Sequence, residues 1–146
     1  MAINGKKYAW EDITINLPHG ILIGVQDIEY GDKKEIEAVY GKGSNPVGYS
    51  EGNYSADGIK LTLLRDEYNK LNDYAKGQAS AFYRLNPFPI TVSYADEDEK
   101  TITDTLPSCK FTERKSSAKQ GDKGLTVELS AICLDPIEYD GFAAND

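Results

Sequence analysis

Residues 25–76 read VQDIEYGDKKEIEAVYGKGSNPVGYSEGNYSADGIKLTLLRDEYNKLNDYAK, and three successive patterns within them decide the fold class. Over residues 27–40, Ile28, Tyr30, Ile36, Ala38 and Tyr40 share one parity, while Asp27, Glu29, Lys33, Glu35 and Glu37 share the other. A period of two sends alternate side chains to opposite faces of a strand, so antiparallel sheet with one apolar and one water-facing side is expected. Residues 41–48, GKGSNPVG, concentrate turn formers that pair poorly in a ladder, and they predict a loop. Residues 47–54 and 59–63 resume the sheet on either side of Ala56-Asp57-Gly58. The period then changes, because Leu64, Tyr68, Leu71 and Ala75 recur at intervals of four, three and four, which draws one apolar stripe on a helix. That helix is expected over about residues 65–76. Asp66 and Glu67 lie near its positive end, Lys76 near its negative end, and Gly77 is read as its stop.

Outward from this stretch the sheet pattern continues. Residues 8–16 alternate with a phase change near Asp12, which predicts an early strand with a bulge, and Pro18-His19-Gly20 breaks it. Residues 21–39 read as one long strand or a strand pair. Further strands are expected over residues 79–85, 88–94, 101–106, 109–115 and 125–134, with a charged turn at residues 96–100 and a basic hairpin loop at residues 116–124. Residues 140–146 are small and polar and read as a flexible tail. The helix is expected to pack on the open face of the sheet.

The chain has 146 residues and 16.1 kDa, which suits one domain over residues 1–146 that buries roughly two-thirds of its unfolded surface. Mean hydropathy is −0.51, and no apolar run approaches the ~20 residues of a membrane-crossing helix. No apolar stretch of secretory type follows the first lysines, so synthesis and first folding in a cytoplasm are expected. Net charge is −8, from 24 acids against 16 Lys and Arg, a balance that opposes tight nucleic-acid binding. The charge is segregated: residues 27–37 hold five acids and two lysines, and residues 110–123 hold five bases and two acids. Complementary patches of this kind favour head-to-tail association between copies, although two solvated loops would give the same pattern.

Candidate chemistry is sparse. The lone histidine, His19, sits in a turn and has no second imidazole for a metal site and no obvious nucleophile to activate. Glu35, Glu37 and Glu51 are candidates for the paired carboxylates of a glycosidase, but acids alternating along a strand are ordinarily its solvated face. The four consecutive acids from Asp96 lack the spacing of a calcium loop, and residues 41–48 lack the spacing of a phosphate-binding loop. No catalytic, cofactor-binding or metal-binding residue is therefore expected. Cys109 and Cys133 flank a hairpin centred near Gly121, whose symmetric register sets them opposite each other. They read as small apolar core residues, and a disulfide between them is conceivable but disfavoured in a reducing compartment. The ten tyrosines offer apolar area with a polar tip, suited to a sugar- or protein-binding surface.

The order of an acidic Ile/Tyr strand (residues 25–41), the loop GKGSNPVG, the strands YSEGNYSADGIKLTL and a helix beginning RDEYNKL resembles the tail tube proteins of contractile-tailed bacteriophages, most clearly over residues 25–71. The resemblance implies a mainly β fold, an antiparallel β-sandwich or partly closed barrel with one packed α-helix. It implies a structural, non-enzymatic protein without cofactors. Copies would form hexameric rings stacked into a conduit for DNA ejection, in a virion tail assembled in the bacterial host cytoplasm. Sheath, tape-measure and baseplate proteins would be its partners, and DNA would pass without specific binding. Six copies giving four strands each to one barrel would span roughly 45 to 50 Å between backbones. Asp27, Glu29, Glu35 and Glu37 are the expected lumen-facing acids, and Gly41, Gly43, Asn45 and Pro46 the expected ring-to-ring contact. The tube protein of type VI secretion shares this fold in broad terms, so a secretion or tailocin-type device is an alternative. A monomeric carbohydrate- or protein-binding β-sandwich is another.

Overall fold

The computed structural model describes residues 8–96, 99–121 and 123–145. The charged turn at residues 96–100 falls partly outside them, as do Asp122 of the basic loop and Asp146 of the tail. The described strands are β1 (Ile13–Leu17), β2 (Gly20–Ile21), β3 (Val25–Glu29), β4 (Lys33–Tyr40), β5 (Pro46–Ser55), β6 (Ile59–Leu64), β7 (Phe88–Asp96), β8 (Glu99–Ser117), β9 (Thr126–Cys133), β10 (Glu138–Tyr139) and β11 (Phe142–Ala143). The one α-helix, α1, is Arg65–Gln78.

The fold is mainly antiparallel sheet with one helix. Nine strands form one sheet in the order β2-β1-β7-β8-β9-β6-β3, with β10 joined to β8 and β11 to β10, while β4 and β5 pair only with each other. The two ends of the long path are joined by residues 22–24. Leu22 N–H donates to Ile15 O at 2.8 Å, and two residues later Gly24 O accepts from Leu64 N–H at 2.7 Å. Two residues span at most ~7 Å, so β1 and β6, near opposite ends of the path, are drawn together and the sheet rolls. It does not close into a barrel, because β2 and β3 make no ladder with each other.

Alternation puts the core inside the roll. Ile59, Leu61 and Leu63 of β6 face inward with Val127, Leu129, Ala131 and Cys133 of β9, and Ile90 and Val92 of β7 join them. Helix α1 lays Tyr68, Leu71 and Ala75 on this core, as the stripe predicts. Phe82, Phe88 and Phe111 complete it, with Phe82 stacked on Phe111 at 5.3 Å between ring centres. The Arg114 guanidinium lies over the Phe82 ring at 4.6 Å and donates to Tyr68 Oη at 2.7 Å.

Several local expectations are corrected. Trp10–Asp12 is a 3-10 turn rather than a bulged strand, because Asp12 Oδ2 accepts Ala9 N–H at 2.8 Å and folds the segment back. Residues 79–85 contain a 3-10 turn, Phe82–Arg84, since burying Phe82 requires the chain to curl. Helix α1 continues through Gly77 and stops at Ala79, which is extended and returns its N–H to Ala75 O. The two strands expected over residues 101–115 are one 19-residue strand, β8. In the tail, read as flexible, Phe142–Ala143 pairs with Glu138–Tyr139 and Ala144 N–H donates to Ile137 O at 3.0 Å.

Candidate functional site

The strands β4 and β5 form a ribbon that leaves the body of the molecule. Their register pairs Ile36 with Glu51, Glu37 with Ser50, and Ala38 with Tyr49. Ile36, Ala38 and Tyr49 therefore share one face, together with Glu51 opposite Ile36 and with Val47 two residues from Tyr49, and Glu37 and Ser50 share the other. The expected parity holds, but the expected burial does not. Ile36 is 64% exposed, Tyr49 69% and Val47 72%, so the apolar face has no cover from its own chain among the described residues. An isolated two-stranded ribbon is marginal in water, and a contiguous apolar face on it marks an interaction surface.

Gly41, Gly43, Asn45 and Pro46 lie at the far tip, all exposed. Gly43 has φ +129, a conformation that side-chain-bearing residues rarely adopt, so the tip needs glycine there.

The root of the ribbon is fastened by polar groups. Tyr30, just before β4, donates its hydroxyl to Asp104 Oδ2 and accepts from the Tyr94 hydroxyl. Asp104 is 5% exposed and also accepts Asp140 N–H on Oδ1 at 3.2 Å. Across the root, Tyr54 of β5 donates to Asp32 Oδ2 at 2.7 Å and accepts Ile137 N–H at 3.0 Å. Lys34 Nζ donates to Asn145 Oδ1 at 3.3 Å, and the Tyr139 ring rests 5.7 Å from that of Tyr30. Burial first, then the bonds to Asp104 and Tyr94, push the Tyr30 phenol well above its ordinary pKa, so it stays a neutral donor. Burial and the bond to Asp32 push Tyr54 up to about 12. Residues 137–145 thus clasp both legs of the ribbon.

The second surface is the outer face of the rolled sheet. Register aligns Glu29, Lys60, Ser130 and Glu113 in one row across β3, β6, β9 and β8, and Asp27, Thr62, Glu128 and Lys115 in the next. These side chains line a depression of about 250 Å³ that holds four carboxylates and two ammonium groups. Cross-strand pairing sets Glu29 against Lys60 and Glu128 against Lys115, which leaves the face net acidic but not uniformly so. The four acids expected on one lumen are therefore divided. Asp27 and Glu29 stand on this face, whereas Glu35 and Glu37 stand on the ribbon, where Glu35 Oε2 accepts Asn53 N–H at 3.2 Å. The parity runs through residues 27–40, but residues 30–32 pass from one sheet to the other and break it.

Two buried carboxylates escaped the sequence reading, Asp104 at the ribbon root and Glu67. Glu67, at 3% exposure, reaches from the first turn of α1 to accept Ile23 N–H at 2.7 Å and Gly24 N–H at 3.3 Å. It fills the seam where the rolled sheet fails to close. Gly24 lets the two approach closely: a Cβ there would stand 3.0 Å from the Glu67 Cβ, and Glu67 would have to shift by a few tenths of an ångström. Burial by itself would raise the Glu67 carboxyl, but the bonds from Ile23 and Gly24, then His19 and Lys70, hold it below its ordinary value. His19 Nε2 is 3.7 Å from Glu67 Oε2, and neither ring nitrogen has a hydrogen-bond partner. His19 faces a carboxylate that is occupied by backbone, not a nucleophile. Among the described residues no group of three or more His, Cys, Asp or Glu is arranged to hold a metal ion.

No protein-family model matches the sequence, and no curated protein does. Solved structures do. Hcp1 from Flavobacterium johnsoniae matches with a TM-score of 0.59 and 12% identity over 92% of this chain and 98% of its own. A chain of the sheath-tube complex of an extracellular contractile injection system, PVC, matches with a TM-score of 0.59 and 14% identity over 92% of each. A chain of the anti-feeding prophage baseplate matches with a TM-score of 0.60 and 12% identity over 97% of this chain and 99% of its own. The fold is the one found in Hcp1 and in these contractile injection particles. At this level of identity the likeness extends to the whole architecture and not to individual side chains.

Proposed function

We propose that this chain is the tube subunit of a contractile injection device, a structural protein whose copies form hexameric rings that stack into a conduit. The observation that carries this reading is the ribbon: a largely apolar face, rooted by hydrogen bonds, that nothing among the described residues covers. A second copy would cover it. The open ends of the sheet support ring closure, because β3 has an unpaired edge that a neighbouring copy would complete. The outer rows on β3, β6, β9 and β8 supply the four strands per copy that a lumen of roughly 45 to 50 Å between backbones requires.

In this arrangement Asp27 and Glu29 line the channel, and Gly41, Gly43, Asn45 and Pro46 at the ribbon tip touch the next ring. Sheath and baseplate proteins are the partners, by analogy with the particles that contain similar chains. The PVC chain comes from a contractile injection system, which favours a conduit of that kind. Passage of DNA through a phage tail is the second reading, and the net acidic outer face supports it because it would not hold a polyanion. No described helix is long and apolar enough to cross a membrane.

Negative-stain electron microscopy of the purified chain across concentration and salt tests the reading. Rings or hollow tubes are expected, and a chain that stays monomeric, even when supplied with sheath and baseplate proteins, would refute it. Deleting residues 43–46 is expected to leave the monomer folded and shorten or abolish tubes. Unaltered tube length in that variant would remove the tip from the ring-to-ring contact.

A further inference from the structure

Cys109 and Cys133 are direct cross-strand partners on β8 and β9. Both thiols are free, and the residues are 0% and 4% exposed. The flanking bonds identify the kind of pair. Leu134 N–H donates to Ser108 O at 2.7 Å, one step outside the pair, and Cys133 N–H goes to Ala56 O at 2.8 Å instead of to Cys109. That is the pattern of a non-hydrogen-bonded antiparallel position, where Cα atoms lie ~4.5 Å apart and side chains approach most closely. The spacing falls within the ~4.4 to 6.8 Å that a disulfide spans. Cross-strand partners point to the same side of a sheet; here the Cys109 thiol donates to Leu106 O at 3.6 Å and the Cys133 thiol to Asp135 O at 3.1 Å, so neither is held by a third side chain.

We propose that Cys109 and Cys133 form a cross-strand disulfide site, which locks β8 to β9 when the chain meets a disulfide oxidant such as oxidised glutathione or a dithiol-disulfide oxidoreductase. The step balances within the pair and the oxidant. One cysteine thiolate attacks a sulfur of the oxidant and releases a thiolate. The second cysteine, as thiolate, attacks the first cysteine's sulfur and releases the other. Two protein thiols are oxidised to one disulfide, the oxidant disulfide is reduced to two thiols, and the protons lost by the cysteines end on those thiols.

Cys133 is the attacking member. The neighbouring Cys109 and the backbone of Ser108 lower the Cys133 thiol, whereas the neighbouring Cys133 and burial hold Cys109 well up. Cys133 is also the last residue of β9, where a strand end opens most readily and admits the oxidant. The lock would fix the point from which the chain departs toward Ile137, Tyr139 and Asp140, the residues that clasp the ribbon root. It does not depend on the tube reading.

The test incubates the full chain with oxidised glutathione, in native buffer and in urea just below the unfolding midpoint, followed by intact mass and tryptic mapping. A loss of about 2 Da is expected, with residues 101–110 joined to residues 124–146. The oxidised chain should melt about 5 to 10 °C higher than the reduced one, and Cys109→Ala and Cys133→Ala should show neither change. A wild-type chain that remains reduced after opening, that stops as a glutathione adduct, or that links only between two copies would overturn the site. An internal bond that lowers the melting temperature would overturn the lock.

Discussion

Replacing Glu67 with alanine is expected to destabilise the chain by about 2 to 3 kcal/mol and lower its melting temperature by roughly 6 to 10 °C. The carboxylate holds the N–H groups of Ile23 and Gly24 at the seam, and alanine leaves both without an acceptor beside the unpartnered His19 ring. Glutamine keeps one acceptor oxygen and should cost less. The two variants also separate by pH. The folded carboxyl is depressed below its ordinary value of 4.5, so its contribution is fully present above that value and is lost as pH falls toward the folded pKa. Wild type should therefore lose its advantage over Glu67→Gln as pH drops from about 5 to 3, measured by denaturant unfolding. An alanine variant that melts with wild type would show that the seam is held by packing alone.

The other large effect is expected at the ribbon root. Asp104→Ala removes the carboxylate acceptor of the Tyr30 hydroxyl, leaving it only Tyr94, and leaves Asp140 N–H only Thr103 O, which should cost about 1 to 3 kcal/mol and free the clasp. The rolled sheet has its own core, centred on Leu63, Ile90, Leu106 and Val127, so far-UV circular dichroism should change little. Tube assembly should fail, because a ribbon hinged at its root no longer presents Ile36, Val47 and Tyr49 in a fixed direction. Hydrogen exchange would read the same event as faster exchange confined to residues 30–55 and 137–145. If tubes form normally from Asp104→Ala, the ribbon is oriented by its neighbours and not by the clasp.

Some of this was legible in order. The strand character on either side of residues 30–32 and the stripe Tyr68, Leu71, Ala75 are local periodicities that the structure keeps, whereas the loop expected over residues 41–48 ends at Asn45, because β5 begins at Pro46. Cys109 and Cys133 face each other as hairpin symmetry about Gly121 predicts, but only through a bulge between Phe111 and Glu113; carried unbroken from Ser117 and Thr126, the register would set Cys109 opposite Leu134. What these patterns cannot carry is the identity of the partner face. A period of two says that Ile36, Ala38 and Tyr49 share a side; it does not say whether that side meets the core or water, because burial is a property of distant strands.

The sequence by itself determined the class: mainly antiparallel sheet, one amphipathic helix, a glycine-containing tip and no gathered catalytic chemistry. Those follow from short-range sterics and from which residue types occur. Only the tertiary structure decided that β4 and β5 leave the sheet, that Asp27 and Glu29 part company with Glu35 and Glu37, and that Glu67 closes a seam instead of serving a helix end. The physical reason is the rolling of the sheet. Linking its two ends through residues 22–24 brings groups more than 40 residues apart within hydrogen-bonding distance, such as Glu67 and Ile23, whose separation is 44. Contacts of that range depend on curvature, and curvature is set by the whole sheet at once.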